Sequence, residues 1–297
     1  MTTYVEAATV ADAVAAMADG ARPIAGGTDL VVGARQGKAS LPGSLVGIHR
    51  IAGLDAIGDH DGGLRLGALV THQAILTHPA IRSRYTGLAD GSANVGSHAT
   101  RVNGTIGGNV MNASPAMDTG APLLCFEASA TLRGPAGSRQ VALAELWTGP
   151  GQTSAALDEL LTAITLPRVS PGTGSAYVRL QYRRQMEIAV VGAAAVVTID
   201  DDTVTDARIA IASLSPVIMR VAGAEEALTG RSADPHTVTA AAEAAAAAAA
   251  PISDVRASAE YRRAMAAVIT RRAINTAIAR AGGTDVPIPA SDATFGS

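Results

Sequence analysis

The chain has 297 residues, a formal charge of −3 and 48% apolar residues, enough for a large buried core but without a basic face for nucleic acid or an apolar run long enough to span a membrane. Its one cysteine, Cys125, excludes a disulfide framework and any iron–sulfur cluster or zinc site built on thiolates of this chain. Six histidines, at 49, 60, 72, 78, 98 and 236, form no HExxH motif and no i,i+4 pair, which argues against a metal centre. The first residues lack a basic region leading into an apolar one, so a cytoplasmic protein is expected.

Thr9 with Asp12 three residues on predicts a capped helix over 9–19, with Ala13, Val14 and Met17 on its inner face. A strand over 22–25, a turn at Gly26-Gly27 and a helix over 30–36 follow, with Thr28 or Asp29 able to cap the helix and Gly37 to end it. A strand at 44–48 precedes a hairpin closing at Asp61-Gly62-Gly63, and Thr71 can cap a helix ahead of Pro79. Helices are expected at 80–96 and 115–130, and strands at 131–133, 139–143 and 160–166. The Pro/Gly/Ser-rich stretch 167–175 reads as a domain boundary, dividing 1–172, itself in parts of about 1–55 and 56–172, from 173–297. Beyond it come strands near 176–182, 193–199 and 204–212, the last two joined by Asp200-Asp201-Asp202, and helices near 222–229, 236–250 and 258–281. Trp147 reads as a loop anchor, Cys125 as a small core residue, and the arginine-rich helix 256–272 as a solvated or intersubunit face.

Two stretches stand out, "PIAGGTDLVVGARQ" at 23–36 and "ATRVNGTIGGNVMNASPAMD" at 99–118. Each sets a double glycine among small polar residues at a helix start. Glycine admits positive φ and close approach, and unpaired amides at such a start bind anions without a side-chain cation. Two loops of this kind facing one another could hold a dinucleotide pyrophosphate, although either double glycine alone reads first as a tight turn. Neither matches GxGxxG or GxxxxGK[ST], so a nicotinamide site of the doubly wound type and an NTPase both lose ground.

"AGGTDL" at 25–30, "RVNGTIGGN" at 101–109 followed by "SP" and Asp118, "YVRLQYRRQMEIAVVGAA" at 177–194 and "PISDVRASAEYRRAMAAVITRRA" at 251–273 together resemble the FAD-binding medium subunit of molybdenum hydroxylases. The resemblance covers nearly the whole chain. It implies an α+β protein: a two-part FAD-binding domain of the vanillyl-alcohol-oxidase type, then a C-terminal α+β domain with an antiparallel sheet and helices. Carried over by position, the FAD contacts are Ala25, Gly26, Gly27, Thr28 and Asp29 in the first loop and Thr105, Ile106, Gly107, Gly108 and Asn109 in the second. Asp118 matches an acidic position that helps hold the cofactor, and Val95 and Leu161 match apolar contacts. Arg179 falls where relatives have a basic residue near the flavin, where a cation would favour a negatively charged reduced ring; its alternative reading is a surface arginine at a strand edge. Thr28-Asp29 replaces the Gln/His-Ser pair of the carbon monoxide enzymes, and Glu187 stands where many members have Asp.

The resemblance also implies partners. A large subunit with a molybdenum–pterin centre and a small subunit with two [2Fe–2S] clusters would assemble with this chain as a dimer of heterotrimers. FAD would pass electrons to an external acceptor (oxygen, NAD or quinone), from a substrate such as an N-heterocycle, purine or aldehyde. The absence of a catalytic side-chain set fits a cofactor that carries the chemistry. A self-sufficient flavin oxidase and a cofactor-free scaffold are the rival readings.

Overall fold

The computed structural model describes residues 2–295. Three layers of sheet succeed one another along the chain. The first is a small parallel sheet in which Ser44–Gly47 lies between Thr3–Glu6 and Arg22–Ile24. Its covering helix, Val10–Ala18, starts at a reciprocal capping box: Thr9 Oγ accepts from the Asp12 amide, and the Asp12 carboxylate accepts from the Thr9 amide. The helix buries Ala13, Val14 and Met17, as its apolar spacing predicts.

The second layer is a five-stranded antiparallel sheet in the order Ile57–His60, Gly63–Gly67, Leu160–Leu166, Ser129–Gly134, Gly137–Ala142. Its first hairpin closes on Asp61 and Gly62 at φ 49° and 77°, the two left-handed residues of a tight hairpin turn. The expected helix over 80–96 is two, Pro79–Arg84 and Thr86–Asn94, because Tyr85 turns inward to donate to Pro167 O at 2.8 Å and to pack edge-on against Phe126. The helix expected over 115–130 is confined to Gly120–Cys125. Before it, Ala113 is left-handed (φ 49°) and residues 113–119 turn Asp118 into the interior; after it, Glu127 is left-handed (φ 53°) and the chain enters the strand at Ser129.

The third layer is antiparallel, Thr173–Leu180, Val191–Asp200, Thr203–Ala212 and Met219–Arg220 in that order. Both of its faces are covered, which is why 191–197 is an unbroken apolar run. Ala193, Ala195 and Val197 join a core with Ile269, Ala273 and Ala277 of the helix Ala259–Ala281. Ala194 and Val196 join the core of the second layer together with Tyr177. On the long helix Arg262 is turned in, bound to Asp254 at 2.7 Å and to Val190 O at 2.7 Å, so the arginine-rich stretch is only partly a solvated face. No helix among the described residues is long and apolar enough to cross a membrane.

Candidate functional site

The two glycine loops touch. A Cβ on Gly26 would lie 1.8 Å from the carbonyl oxygen of Asn103, and one on Gly104 would lie 3.4 Å from Thr28 Oγ1. The close approach therefore demands glycine at 26 before any ligand is considered. Gly27 carries φ 67°, a left-handed turn within the loop, and Asp29 is right-handed at φ −94°, ψ −47°. The amides of Gly26, Gly27, Thr28 and Asp29 have no hydrogen-bond partner among the described residues. Asp29 occupies the N-cap position of the helix Leu30–Arg35, but neither it nor Thr28 caps that helix with its side chain.

The second loop differs. It enters the helix Ile106–Asn112 through Thr105, whose Oγ1 accepts from the Gly108 amide at 3.1 Å. The amide of Ile106 goes to Val70 O, that of Gly107 to Ala68 O and that of Asn109 to Thr105 O. Unpaired amides thus run through Gly26–Asp29, whereas in the second loop those of Ile106, Gly107, Gly108 and Asn109 are taken. Gly107 is buried against Ala68, whose carbonyl would lie 2.5 Å from an added Cβ, whereas Gly108 is exposed and meets only Thr105 Oγ1 at 3.0 Å. Neither has positive φ. Trp147 is buried and anchors the helix by donating from Nε1 to Val110 O at 3.0 Å.

Asn109 leads to the rest of the site. Its Oδ1 accepts from Thr119 Oγ1 at 2.6 Å, which fixes the turn holding Asp118. Asp118 is buried, with Oδ1 accepting from the Tyr177 hydroxyl at 2.9 Å and Oδ2 from Arg179 Nη1 at 2.6 Å. Burial raises the Asp118 carboxyl above its ordinary range, and the Arg179 charge and the Tyr177 hydroxyl pull it down. Arg179, which could be read as a surface arginine, is 0% exposed. Its Nε donates to Gln181 Oε1 at 2.6 Å and Nη1 also to Glu187 O at 3.2 Å, but Nη2 is buried without a partner. An orphaned guanidinium nitrogen costs free energy unless a ligand acceptor meets it.

Val95 ends the helix Thr86–Asn94 at the base of the second loop, and its carbonyl, with that of Ala93, accepts from Arg101 Nη1. Leu161 is 3% exposed and lies in the same core as Ile106 and Val110, so it forms the floor under the second loop. Ala25 is half-buried where the strand Arg22–Ile24 gives way to the first loop. Sequence reasoning missed three groups. Tyr177 shares a strand face with Arg179 two residues on, a period that was readable. Arg101 opens the second loop's own motif and was within reach, whereas His72 was not, because only the fold brings it there: it donates its amide to Gly104 O and packs its ring edge near Gly104. Burial, with the Arg101 charge second, lowers the His72 imidazole to about 4.

Among the described residues, four unpartnered main-chain amides and a buried arginine with a spare donor offer what a dinucleotide cofactor would need. The donor set fits FAD: free amides suit the diphosphate, and a lone buried N–H suits an acceptor on a ring. Comparison with known proteins agrees. Residues 1–169 match the family described as the FAD binding domain in molybdopterin dehydrogenase, and residues 175–277 the CO dehydrogenase flavoprotein C-terminal domain. The chain is 31% identical to a putative xanthine dehydrogenase FAD-binding subunit of Escherichia coli K12, covering 94% of this chain and 97% of the relative. It is 33% identical to the carbon monoxide dehydrogenase medium chain of Afipia carboxidovorans, covering 92% and 95%. The solved carbon monoxide dehydrogenase of Hydrogenophaga pseudoflava superposes with a TM-score of 0.90 at 32% identity, covering 94% of this chain and 98% of that one. The chain belongs to the FAD-binding medium subunits of the molybdenum hydroxylases, and so to the oxidoreductases.

Proposed function

We propose that this chain is the electron relay of a heteromeric molybdenum hydroxylase. The observation that carries the reading is the run of four unpartnered amides at Gly26–Asp29, pressed against the second loop at Asn103. On it the FAD diphosphate is held by Gly26, Gly27, Thr28 and Asp29, with Ala25 at the entry and Thr105, Ile106, Gly107, Gly108 and Asn109 forming the facing wall. Val95 and Leu161 supply apolar support, and Asp118 holds Arg179 with Nη2 directed to the ring. A bound flavin accepts electrons singly or in pairs, which suits it to join one-electron clusters to a two-electron acceptor.

The chain's own residues bind, orient and tune. Because Asp118 lies 2.6 Å from Arg179, the pair brings a donor to the ring with little net charge. The bias toward a negative reduced ring is then weaker than an unpaired cation would give. In this reading the electrons come from [2Fe–2S] clusters of a small subunit, fed by a molybdenum–pterin centre on a large one, in a dimer of heterotrimers in the cytoplasm. The final acceptor is oxygen, NAD or a quinone, the substrate an N-heterocycle, purine or aldehyde, and the domains are 1–172 and 173–297. Co-purification tests the whole. The expected outcome is a yellow complex with one FAD per copy of this chain, accompanied by a large and a small subunit and reduced by the large subunit's substrate. Flavin reduced directly by a small substrate in the isolated chain would favour a self-sufficient oxidase, and absent flavin a scaffold.

A further inference from the structure

The outer edge of the strand Thr173–Leu180 is closed by side chains and a returning segment, not by another strand. Its odd-numbered residues turn their main-chain groups outward. Ser175 O accepts from Thr86 Oγ1 at 2.7 Å and from Arg280 Nη1 at 2.8 Å. The Tyr177 amide donates to Asp90 Oδ2 at 3.0 Å, and the Arg179 amide donates to Ser291 Oγ at 3.0 Å. These same residues, 177 and 179, hold Asp118 with their side chains.

The segment 286–292 is fastened at three points around this edge. Val286 O and Pro287 O accept from Arg280 Nη2, the Ala290 amide donates to Asp90 Oδ1 at 2.9 Å, and Ser291 meets Arg179. Asp90 and Arg280 are themselves paired at 2.6 Å and buried, so strand, long helix and returning segment share one ionic hub. Ser291 is 1% exposed, and its hydroxyl accepts from the amide of the residue whose guanidinium carries the orphaned Nη2. Just beyond, Ser291 and Asp292 border a cleft with residues 180–184.

We propose that the segment 286–292 is a strap that sets the position of Arg179 at the flavin, with Ser291 as a positioning residue. The inference rests on the reading of Arg179 as a flavin contact. It follows that FAD and strap are coupled, and coupling is reciprocal: if the strap favours FAD binding, FAD tightens the strap.

Hydrogen–deuterium exchange on the wild-type complex, stripped of FAD and then reloaded, reads this directly. FAD is expected to slow exchange in the peptides covering 25–30 and 104–109 and, several-fold, in 286–292. Protection of the two loops with no change at 286–292 would overturn the strap and leave the FAD site standing. No protection at the loops would overturn the FAD site itself, and the strap with it. Ser291→Ala in the complex is expected to raise the FAD Kd about 5-fold or more, with Ser291→Thr restoring it. An unchanged Kd in Ser291→Ala beside a raised one in Arg179→Lys would overturn the strap alone.

Discussion

The first glycine loop is poor in internal bonds and the second is rich in them. At Gly26–Asp29 the amides are unpartnered, and the helix that follows, Leu30–Arg35, buries no residue. At Ile106–Asn109 every amide is taken by the protein, and the helix buries Ile106, Gly107 and Val110. On the proposed reading, one loop is a donor surface for a ligand and the other a wall that positions it. The similar sequences conceal this division of labour, because glycine serves a different end at each place: backbone contact at 26 and 107, positive φ at 27, and room for the Thr105 hydroxyl at 108.

The largest effects are expected where glycine meets backbone. Gly26→Ala and Gly107→Ala put a Cβ 1.8 Å from Asn103 O and 2.5 Å from Ala68 O, and main chain cannot yield as a flexible side chain does. Each is expected to destabilise the FAD-free chain by at least about 3 kcal/mol in urea unfolding. A wild-type midpoint in Gly26→Ala would show that the two loops are held apart in solution, and one in Gly107→Ala that the second loop stands off Ala68.

Much of this division lay outside the reach of sequence. The capping box at Thr9 and Asp12, the Asp61-Gly62 hairpin and the long strands of the third layer were legible because their signals are local. The short helix Gly120–Cys125 was overextended to 115–130, since its boundaries are set by Asp118 reaching Tyr177 and Arg179, some sixty residues away. The motif residues were recognisable by type and spacing. Which of them offers a free donor was not, because Val70 and Ala68, the acceptors that silence the second loop, come from a strand end and a turn far along the chain.

Acid should act on the wall more than on the donor loop. His72 has an imidazole lowered from 6.5 to about 4, so the folded state binds fewer protons than the unfolded one between those values. Stability is therefore full above about pH 6.5 and falls as pH drops toward 4, by about 3 kcal/mol from this group. Urea unfolding at pH 7 and pH 4.5 measures it. His72→Gln is expected to flatten that dependence by most of this amount, and equal slopes would assign it elsewhere.

The buried pair gives a smaller, electronic effect. Asp118→Asn leaves Arg179 charged without its carboxylate, and through an effective dielectric near 20 the freed charge is worth about 1.5 to 3 kcal/mol to a negative reduced ring. The flavin midpoint potential should then rise by about 30 to 60 mV, read by dye-coupled titration of the loaded complex. An unchanged potential would mean that the ring does not sense Arg179.

Gly108→Ala separates wall from donor loop most finely. The position is exposed and its only close neighbour is Thr105 Oγ1 at 3.0 Å, a capping hydroxyl that must shift by a few tenths of an ångström, so the chain should fold with stability within about 1 kcal/mol of wild type, helped by the better helix propensity of alanine. A methyl group at the open face of the second loop should nevertheless crowd a diphosphate held by the first, raising the FAD Kd about tenfold, or about 1.4 kcal/mol. Fluorescence titration of the deflavinated complex measures it, with Gly107→Ala as the contrast that loses fold and cofactor together. Wild-type affinity in Gly108→Ala would place the diphosphate against the first loop alone, with the second acting only through its grip on Asn103.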